Sequence, residues 1–218
     1  MMRDGRLKAD ASREEVCGFF DVSRESCRRL QIYADELGRW QKRINLVGPA
    51  TLKHLWVRHI ADGLQLARLL PQQSRQVIDL GSGSGVPGLV LALGMERDIH
   101  IVLVESNAKK AAFLRNVAQK AGVRVRIENR RIEELDVAAL GCDVHTTVTA
   151  RALAPLPKLL DLAFPMLEKG AQGLFFKGQD VGKELTEATK YWNIRHDVLP
   201  SVTDESGAIL RIREIERV

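Results

Sequence analysis

Val77-Ile78-Asp79-Leu80-Gly81-Ser82-Gly83-Ser84-Gly85-Val86-Pro87-Gly88 is the stretch on which the fold turns. A short apolar strand runs directly into three alternating glycines, and Leu89 to Leu93 then continue as an apolar helix. Glycine allows the sharp turn and lets the backbone approach a ligand with no Cβ in the way. Pro87 suits a first helical turn, where a missing N–H costs nothing. Glu105 closes the next strand, twenty residues after Gly85. A dinucleotide-type fold places there the acid that accepts the hydrogens of a ribose diol. Together these features predict an adenosine-binding site.

Two glycine frames overlap. Gly83-x-Gly85-x-x-Gly88 satisfies the pattern of nicotinamide enzymes, but it starts four residues after Asp79 rather than at the strand end. Asp79-Leu80-Gly81-x-Gly83-x-Gly85 abuts the strand and looks like the first motif of class I methyltransferases. A pyrophosphate prefers the positive end of a helix without an acid beside it. A sulfonium with a zwitterionic tail tolerates Asp79. The expected cofactor is therefore S-adenosyl-L-methionine, leaving as S-adenosyl-L-homocysteine; an NAD-dependent oxidoreductase is the rival enzyme class.

Downstream, Ile99–Val104, Val123–Ile127, Asp143–Thr149 and Gly173–Phe176 read as strands, and Asn107–Ala121 as a helix. Ile194–Leu199 and Ala208–Ile215 are spaced as a terminal hairpin. Strands alternating with helices predict a doubly wound α/β, Rossmann-like sheet. Upstream, Ser12-Arg13-Glu14-Glu15 is a capping box for a first helix. A second helix follows Ser23, its apolar stripe running from Leu30 to Ile44, and a third is predicted from about Thr51 to Leu70. The expected organisation is a basic helical extension, 1–74, packed on a cofactor-binding core, 75–218.

The bulk properties agree with an ordinary globular chain: 218 residues, 45% hydrophobic and 28% charged. The polar start from Met1 to Arg6 lacks the apolar run of a secretory signal, so a cytoplasmic protein with no membrane partner is expected. Cys17, Cys27 and Cys142 show no CxxC spacing, which predicts buried thiols rather than disulfides or zinc ligands. No clustered ligands suggest any other metal. Of the net charge of +5, all falls in residues 1–75, with fourteen Lys and Arg against nine Asp and Glu. A basic leader suits a polyanion such as RNA, and a plain solvated helix face is the alternative.

The segment after the fourth strand, Thr147-Val148-Thr149-Ala150-Arg151-Ala152-Leu153-Ala154-Pro155, narrows the acceptor. The Asn/Asp-Pro-Pro-aromatic motif of exocyclic-amine methylation is absent, and so is the cysteine of carbon-5 pyrimidine chemistry. An acceptor that is already nucleophilic fits, such as guanine N7. Such an atom has a lone pair and no proton to lose, so alignment can supply most of the acceleration without a general base.

From about Leu30 to Arg213 the chain resembles the glucose-inhibited division protein B family, the bacterial small-subunit ribosomal RNA guanine-N7 methyltransferases. The carriers are Asn45-Leu46, Arg58-His59-Ile60-x-Asp62, Asp79 to Gly88, Lys109-Lys110 to Phe113-Leu114-Arg115, Arg131-Ile132-Glu133-Glu134, Thr149-Ala150-Arg151-Ala152 and Phe176-Lys177-Gly178. The resemblance implies a guanine in the decoding-region loop of 16S ribosomal RNA as target. It implies cofactor contacts at Gly81, Val86, Ile132, Glu133 and Arg151. Glu105, where many members carry Asp, is placed near the ribose. Asp79, Ser82, Gly83 and Gly85 complete the expected cofactor set.

Several residues keep two readings. Arg58 and Asp62 form an intrahelical ion pair, or Arg58 with His59 shapes the pocket or contacts RNA; His59 is a hydrogen-bonded, partly buried histidine rather than a base. With Asn45 and Arg151 they are the pocket candidates. Arg151 is assigned to the methionine carboxylate or an RNA phosphate, since a guanidinium on the methyl path would repel charge at both ends. Glu133 addresses the adenine edge or simply charges a helix start. Arg28, Arg39 and Arg43 of the leader, with Lys109, Lys110, Arg130, Arg131 and Lys177 at the pocket mouth, are the candidate RNA contacts. The expected partner is 16S ribosomal RNA, bare or in the small subunit, bound by a monomer. A catalytically inactive, cofactor-sensing RNA-binding module is the non-enzymatic alternative.

Overall fold

A computed structural model describes residues 5–218, so most of the polar start read for a missing secretory signal (Met1 to Asp4) lies outside the described residues. Ser12 Oγ accepts the Glu15 N–H, and Glu15 returns a hydrogen bond to the Ser12 N–H, closing the expected box on α1 (Arg13–Phe19). Ser23 Oγ accepts the Ser26 N–H and so caps α2 (Arg24–Gln41), without a returned bond. This helix ends before Ile44, because the Gln41 side chain folds the chain back by bonding the backbone of Leu46 and Val47.

Three readings of the leader need correcting. The single third helix is instead a 3₁₀ segment (Pro49–His54), a wide π turn (Trp56–Ala61) and a short α3 (Asp62–Ala67). Pro49 at the start lacks an N–H, and Arg58 offers its carbonyl to Arg151, 2.7 Å away; π turns recur where a helix serves a site. Arg58 does not pair with Asp62 but reaches Asp204, at 2.5 Å, in the loop of the terminal hairpin. Cys17 and Cys27, read as thiols, form a disulfide across α1 and α2. The helices fold against each other so that their Cα atoms lie 6.2 Å apart, within bridging range. Contact in space, not sequence spacing, decides that pairing. Cys142 is a free, half-buried thiol, pushed up to about 11 by burial.

From Gln76 the chain alternates as predicted: β1 (Gln76–Leu80), α4 (Gly88–Gly94), β2 (His100–Val104), α5 (Ala108–Ala121), β3 (Arg126–Glu128), α6 (Val137–Leu140), β4 (Thr146–Ala150), α7 (Leu156–Leu167), β5 (Gln172–Lys177), α8 (Val181–Ala188), β6 (Trp192–Pro200) and β7 (Ala208–Arg217). The seven strands lie in the order β3-β2-β1-β4-β5-β7-β6, with β7 antiparallel to its neighbours. The order reverses between β1 and β4, which opens a crevice at the carboxyl ends of the strands, where open α/β sheets bind ligands. Val86-Pro87 is a cis peptide bond.

Leu30, Tyr33 and Leu37 of α2 are fully buried in one core with Leu89 and Leu91 of α4 and Phe113 of α5. A second core on the opposite face joins Ile78, Val102 and Val148 to Leu156, Leu160 and Ala163 of α7. Among the described residues no helix is long and apolar enough to cross a membrane.

Candidate active site

The glycine turn is held from the neighbouring strand. Gly81, Gly83 and Gly85 all have positive φ (68°, 54° and 90°). The buried Glu105 carboxylate accepts the Gly83 N–H at 2.8 Å with one oxygen and the Asn107 N–H at 2.7 Å with the other. A Cβ on Gly83 would meet nothing nearer than the Gly81 carbonyl at 3.6 Å, so this backbone faces open space. Beside it lies a slot of about 320 Å³, a volume in the range of small-ligand sites.

The slot brings together predicted residues from three strand ends: Gly81 and Gly83, Glu105, Ile132 and Glu133, with Lys110, Arg130 and Arg131 at its mouth. Its far wall is Ala152 and Leu153. Ala152 carries a φ of +52°, a conformation that costs a non-glycine residue roughly 1 kcal/mol and bends the chain away from β4. The Leu153 side chain presses on Gly81, 2.6 Å from where a Cβ would stand. Leu153 escaped the sequence reading because an apolar residue after a strand carries no chemical signal.

Five expected cofactor residues do not line the slot: Arg151, and the four of the glycine-turn segment, Asp79, Ser82, Gly85 and Val86. Ser82 is buried, its hydroxyl donating to the Asp79 carbonyl at 3.0 Å, and Val86 and Gly85 are packed beneath the loop. Asp79 is fully buried, with Oδ2 accepting the Gly88 N–H at 3.1 Å and Oδ1 without a partner. Burial pushes its carboxyl up to about 7. That orphaned oxygen, the open Gly83 backbone and a ribose-side carboxylate suit an adenosyl cofactor with a cationic tail.

Arg151 leaves β4 on the leader side. It pairs with Asp62 at 3.0 Å, donates to the Arg58 carbonyl and meets His59 Nδ1 at 3.3 Å. Thr51 gives its proton to the Gly48 carbonyl, so it accepts from His59 Nε2, 2.9 Å away. Nδ1 then stays a bare acceptor. Burial, and then the charges of Arg151 and Arg58, hold His59 down at about 3. His59 is thus the neutral, hydrogen-bonded histidine expected. Burial raises Asp62 while Arg151 opposes it. Asn45 sits exposed on the turn after α2, outside the slot.

Besides those at the slot mouth, the basic candidates fall in three places. Arg39 and Arg43, with Lys42, Trp40 and Lys109, line a groove of about 680 Å³ between α2 and α5. Its floor is Glu36: desolvation raises this acid, but Lys120, Asn116 and Arg39 outweigh it and hold the carboxyl at about 2. Arg28 is exposed higher on α2, beside Glu25. Lys177 lies apart, its ammonium on Glu184 at 2.6 Å and the Ala154 carbonyl at 3.1 Å, with a side chain only 5% exposed.

Comparison with known proteins gives the family and the fold. Residues 26–211 match the family model described as rRNA small subunit methyltransferase G. A protein of Paramagnetospirillum magneticum named ribosomal RNA small subunit methyltransferase G is 50% identical over 204 residues, covering 94% of this chain and 96% of its own. A Methylorubrum extorquens protein of the same name is 48% identical, with 94% and 97% covered. Among solved structures, an O-methyltransferase from Bacillus cereus in complex with SAH has a TM-score of 0.56 at 12% identity, covering 88% of this chain and 91% of that one. The O-methyltransferase TomG from Streptomyces achromogenes, in complex with SAM, has 0.54 at 16%, covering 88% and 90%. These structures share the fold.

Proposed function

Because the chain belongs to the rRNA small subunit methyltransferase G family, we propose that it transfers a methyl group from S-adenosyl-L-methionine to N7 of a guanine in 16S ribosomal RNA. The observation that carries this reading is the Gly83 backbone, fastened to Glu105 and open on a slot that ends at Ile132 and Glu133. When bound, the cofactor supplies an electrophilic methyl on a sulfonium and departs as S-adenosyl-L-homocysteine. Glu105 has lone pairs left for ribose hydroxyls, and the Ile132-Glu133 segment addresses the adenine edge. Asp79, buried under the loop with Oδ1 unpartnered, would favour the cofactor's positive charge when it is bound. Arg151, oriented by Asp62 and the Arg58 carbonyl, is assigned to the methionine carboxylate or an RNA phosphate. Lys110, Arg130 and Arg131 hold RNA phosphates at the mouth.

No residue of the site is assigned as a general base. His59, held near 3, is outside the slot and neutral at any working pH. N7 needs none, so the residues act by alignment and by excluding water. The nicotinamide reading is disfavoured by Asp79, whose carboxylate occupies the Gly88 N–H at the start of α4, where a pyrophosphate would sit. We read the protein as a monomer acting in the cytoplasm, where its substrate is made.

Tritiated methyl incorporation into 16S RNA, bare and in small subunits, followed by base analysis, tests the assignment: label is expected on guanine N7. At saturating substrates kcat is expected to stay flat from about pH 6 to 9, since no proton leaves N7. A steep limb in that range, or label on an exocyclic amine, overturns the proposal.

A further inference from the structure

Across Ala152 and Leu153 from the cofactor slot lies a second cavity of about 490 Å³, at the carboxyl ends of β4 and β5. The two cavities share those two residues as a common wall. On its other side this cavity carries Phe176, Lys177, Gly178 and Glu184. Both hydrogen bonds that Glu184 accepts, from the Leu156 N–H and from Lys177 Nζ, fall on Oε2. Oε1 is left for a ligand. Lys177 spends two of its three protons, on Glu184 and on the Ala154 carbonyl, and keeps one.

We propose that Glu184 and Lys177 read the Watson–Crick edge of the target base and select guanine. Guanine offers a carbonyl acceptor at O6 beside donors at N1 and N2. The third Lys177 proton meets O6, and Glu184 Oε1 accepts from N1–H and the N2 amine. Adenine reverses this pattern, setting its N6 amine against an ammonium and its N1 lone pair against a carboxylate. Each mismatch leaves a buried polar group unpaired, the strongest form of discrimination available to a pocket. An unstacked base read in this way is the usual mode for single-stranded RNA. With O6 and N1 anchored, N7 lies on the adjoining edge with its lone pair unoccupied. Charge matters too. As N7 takes the methyl, guanine becomes cationic and N1–H more acidic, so the bond to Glu184 strengthens on the way to the transition state and raises kcat.

The inference rests on the guanine-N7 reading, and the test separates the two. Small subunits are reconstituted with 16S RNA carrying either guanosine or inosine, which lacks only the N2 amine, at the target position. The wild-type enzyme is expected to lose about tenfold in kcat/KM on inosine, the usual cost of one hydrogen bond to a charged group. Glu184→Gln should be slower on guanosine, mainly in kcat, and should discriminate much less between the two RNAs. Its affinity for S-adenosylhomocysteine should match wild type, which establishes that the slot is intact. Equal rates of the wild-type enzyme on both RNAs overturn the proposal without any variant. Unchanged discrimination by Glu184→Gln does so as well. Absence of methyl on the guanosine substrate takes down the guanine-N7 reading itself.

Discussion

Asp79 concentrates the electrostatics of the site in one side chain. It is fully buried, half its carboxylate is bound to Gly88 and the other oxygen is unpartnered. Burial favours the neutral acid, which is why its carboxyl sits at about 7 rather than in the usual range. The folded-state pKa is raised, so the group's contribution to stability is complete below the unfolded value and declines as pH climbs to 7. A cationic cofactor tail reverses the preference, because it attracts the ionised form. Raising the pH through 7 should therefore tighten cofactor binding. At pH 6 only about a tenth of Asp79 is ionised, so the dissociation constant there should be weaker than its alkaline plateau by up to about tenfold. Calorimetric titration of S-adenosylmethionine, which carries the sulfonium, at several pH values measures this, with Asp79→Asn expected to give a flat profile. A wild-type affinity independent of pH between 6 and 8 removes Asp79 from the cofactor's surroundings.

The strand–turn–helix element separates binding from stability at two of its glycines. At Gly83 an added Cβ has room but needs a φ of +54°, and it projects where the cofactor must approach. At Gly88 the φ is ordinary, but a Cβ would strike Leu103 at 2.5 Å and Asp79 at 2.7 Å. Gly88→Ala should thus lower thermal stability, by about 1–3 kcal/mol of overpacking. Gly83→Ala should cost about 1 kcal/mol of stability and at least tenfold in cofactor affinity. Thermal melts and calorimetry of the two variants together make the comparison, and the same pattern in both sinks it. This element was fully legible in sequence, since strand, turn and distant acid are local features with few alternatives. The rest was legible by degrees. α7 carries Pro165 in its interior and α8 spans only eight residues, and neither was read as a helix. The segment from Pro49 to Ala67 looked like one helix because its apolar spacing is helical throughout. Only tertiary partners, such as Arg151 on the Arg58 carbonyl and Asp204 on Arg58, account for the wide turn. Leu153 and Glu184 were invisible as site residues because their roles depend on which strand ends the sheet order sets side by side.

On the scale of the whole molecule, charge and packing assign different tasks to the same leader. Its apolar stripe, Leu30, Tyr33 and Leu37, is wholly buried against α4 and α5, and we infer that it folds only with the sheet behind it. Residues 1–75 as a whole carry the net positive charge of the chain, and Arg39, Lys42 and Arg43, with Lys109, line the groove beside the half-buried Trp40. Lys109 borders this groove and Lys110 borders the cofactor slot, and we infer that RNA held along the groove would be led toward the site. Phosphate contacts of this kind release counterions, and each neutralised phosphate adds about 0.7 to the slope of log affinity against log salt for single-stranded RNA. Replacing Arg39, Lys42 and Arg43 together with glutamine should therefore flatten that slope by about two. Affinity at low salt should fall, while S-adenosylhomocysteine binds as before because no cofactor-slot residue has changed. Filter binding of 16S RNA across a salt series reads the slope directly. Parallel lines for wild type and variant would mean that the leader's charge is only a solvated surface and that RNA engages the enzyme elsewhere.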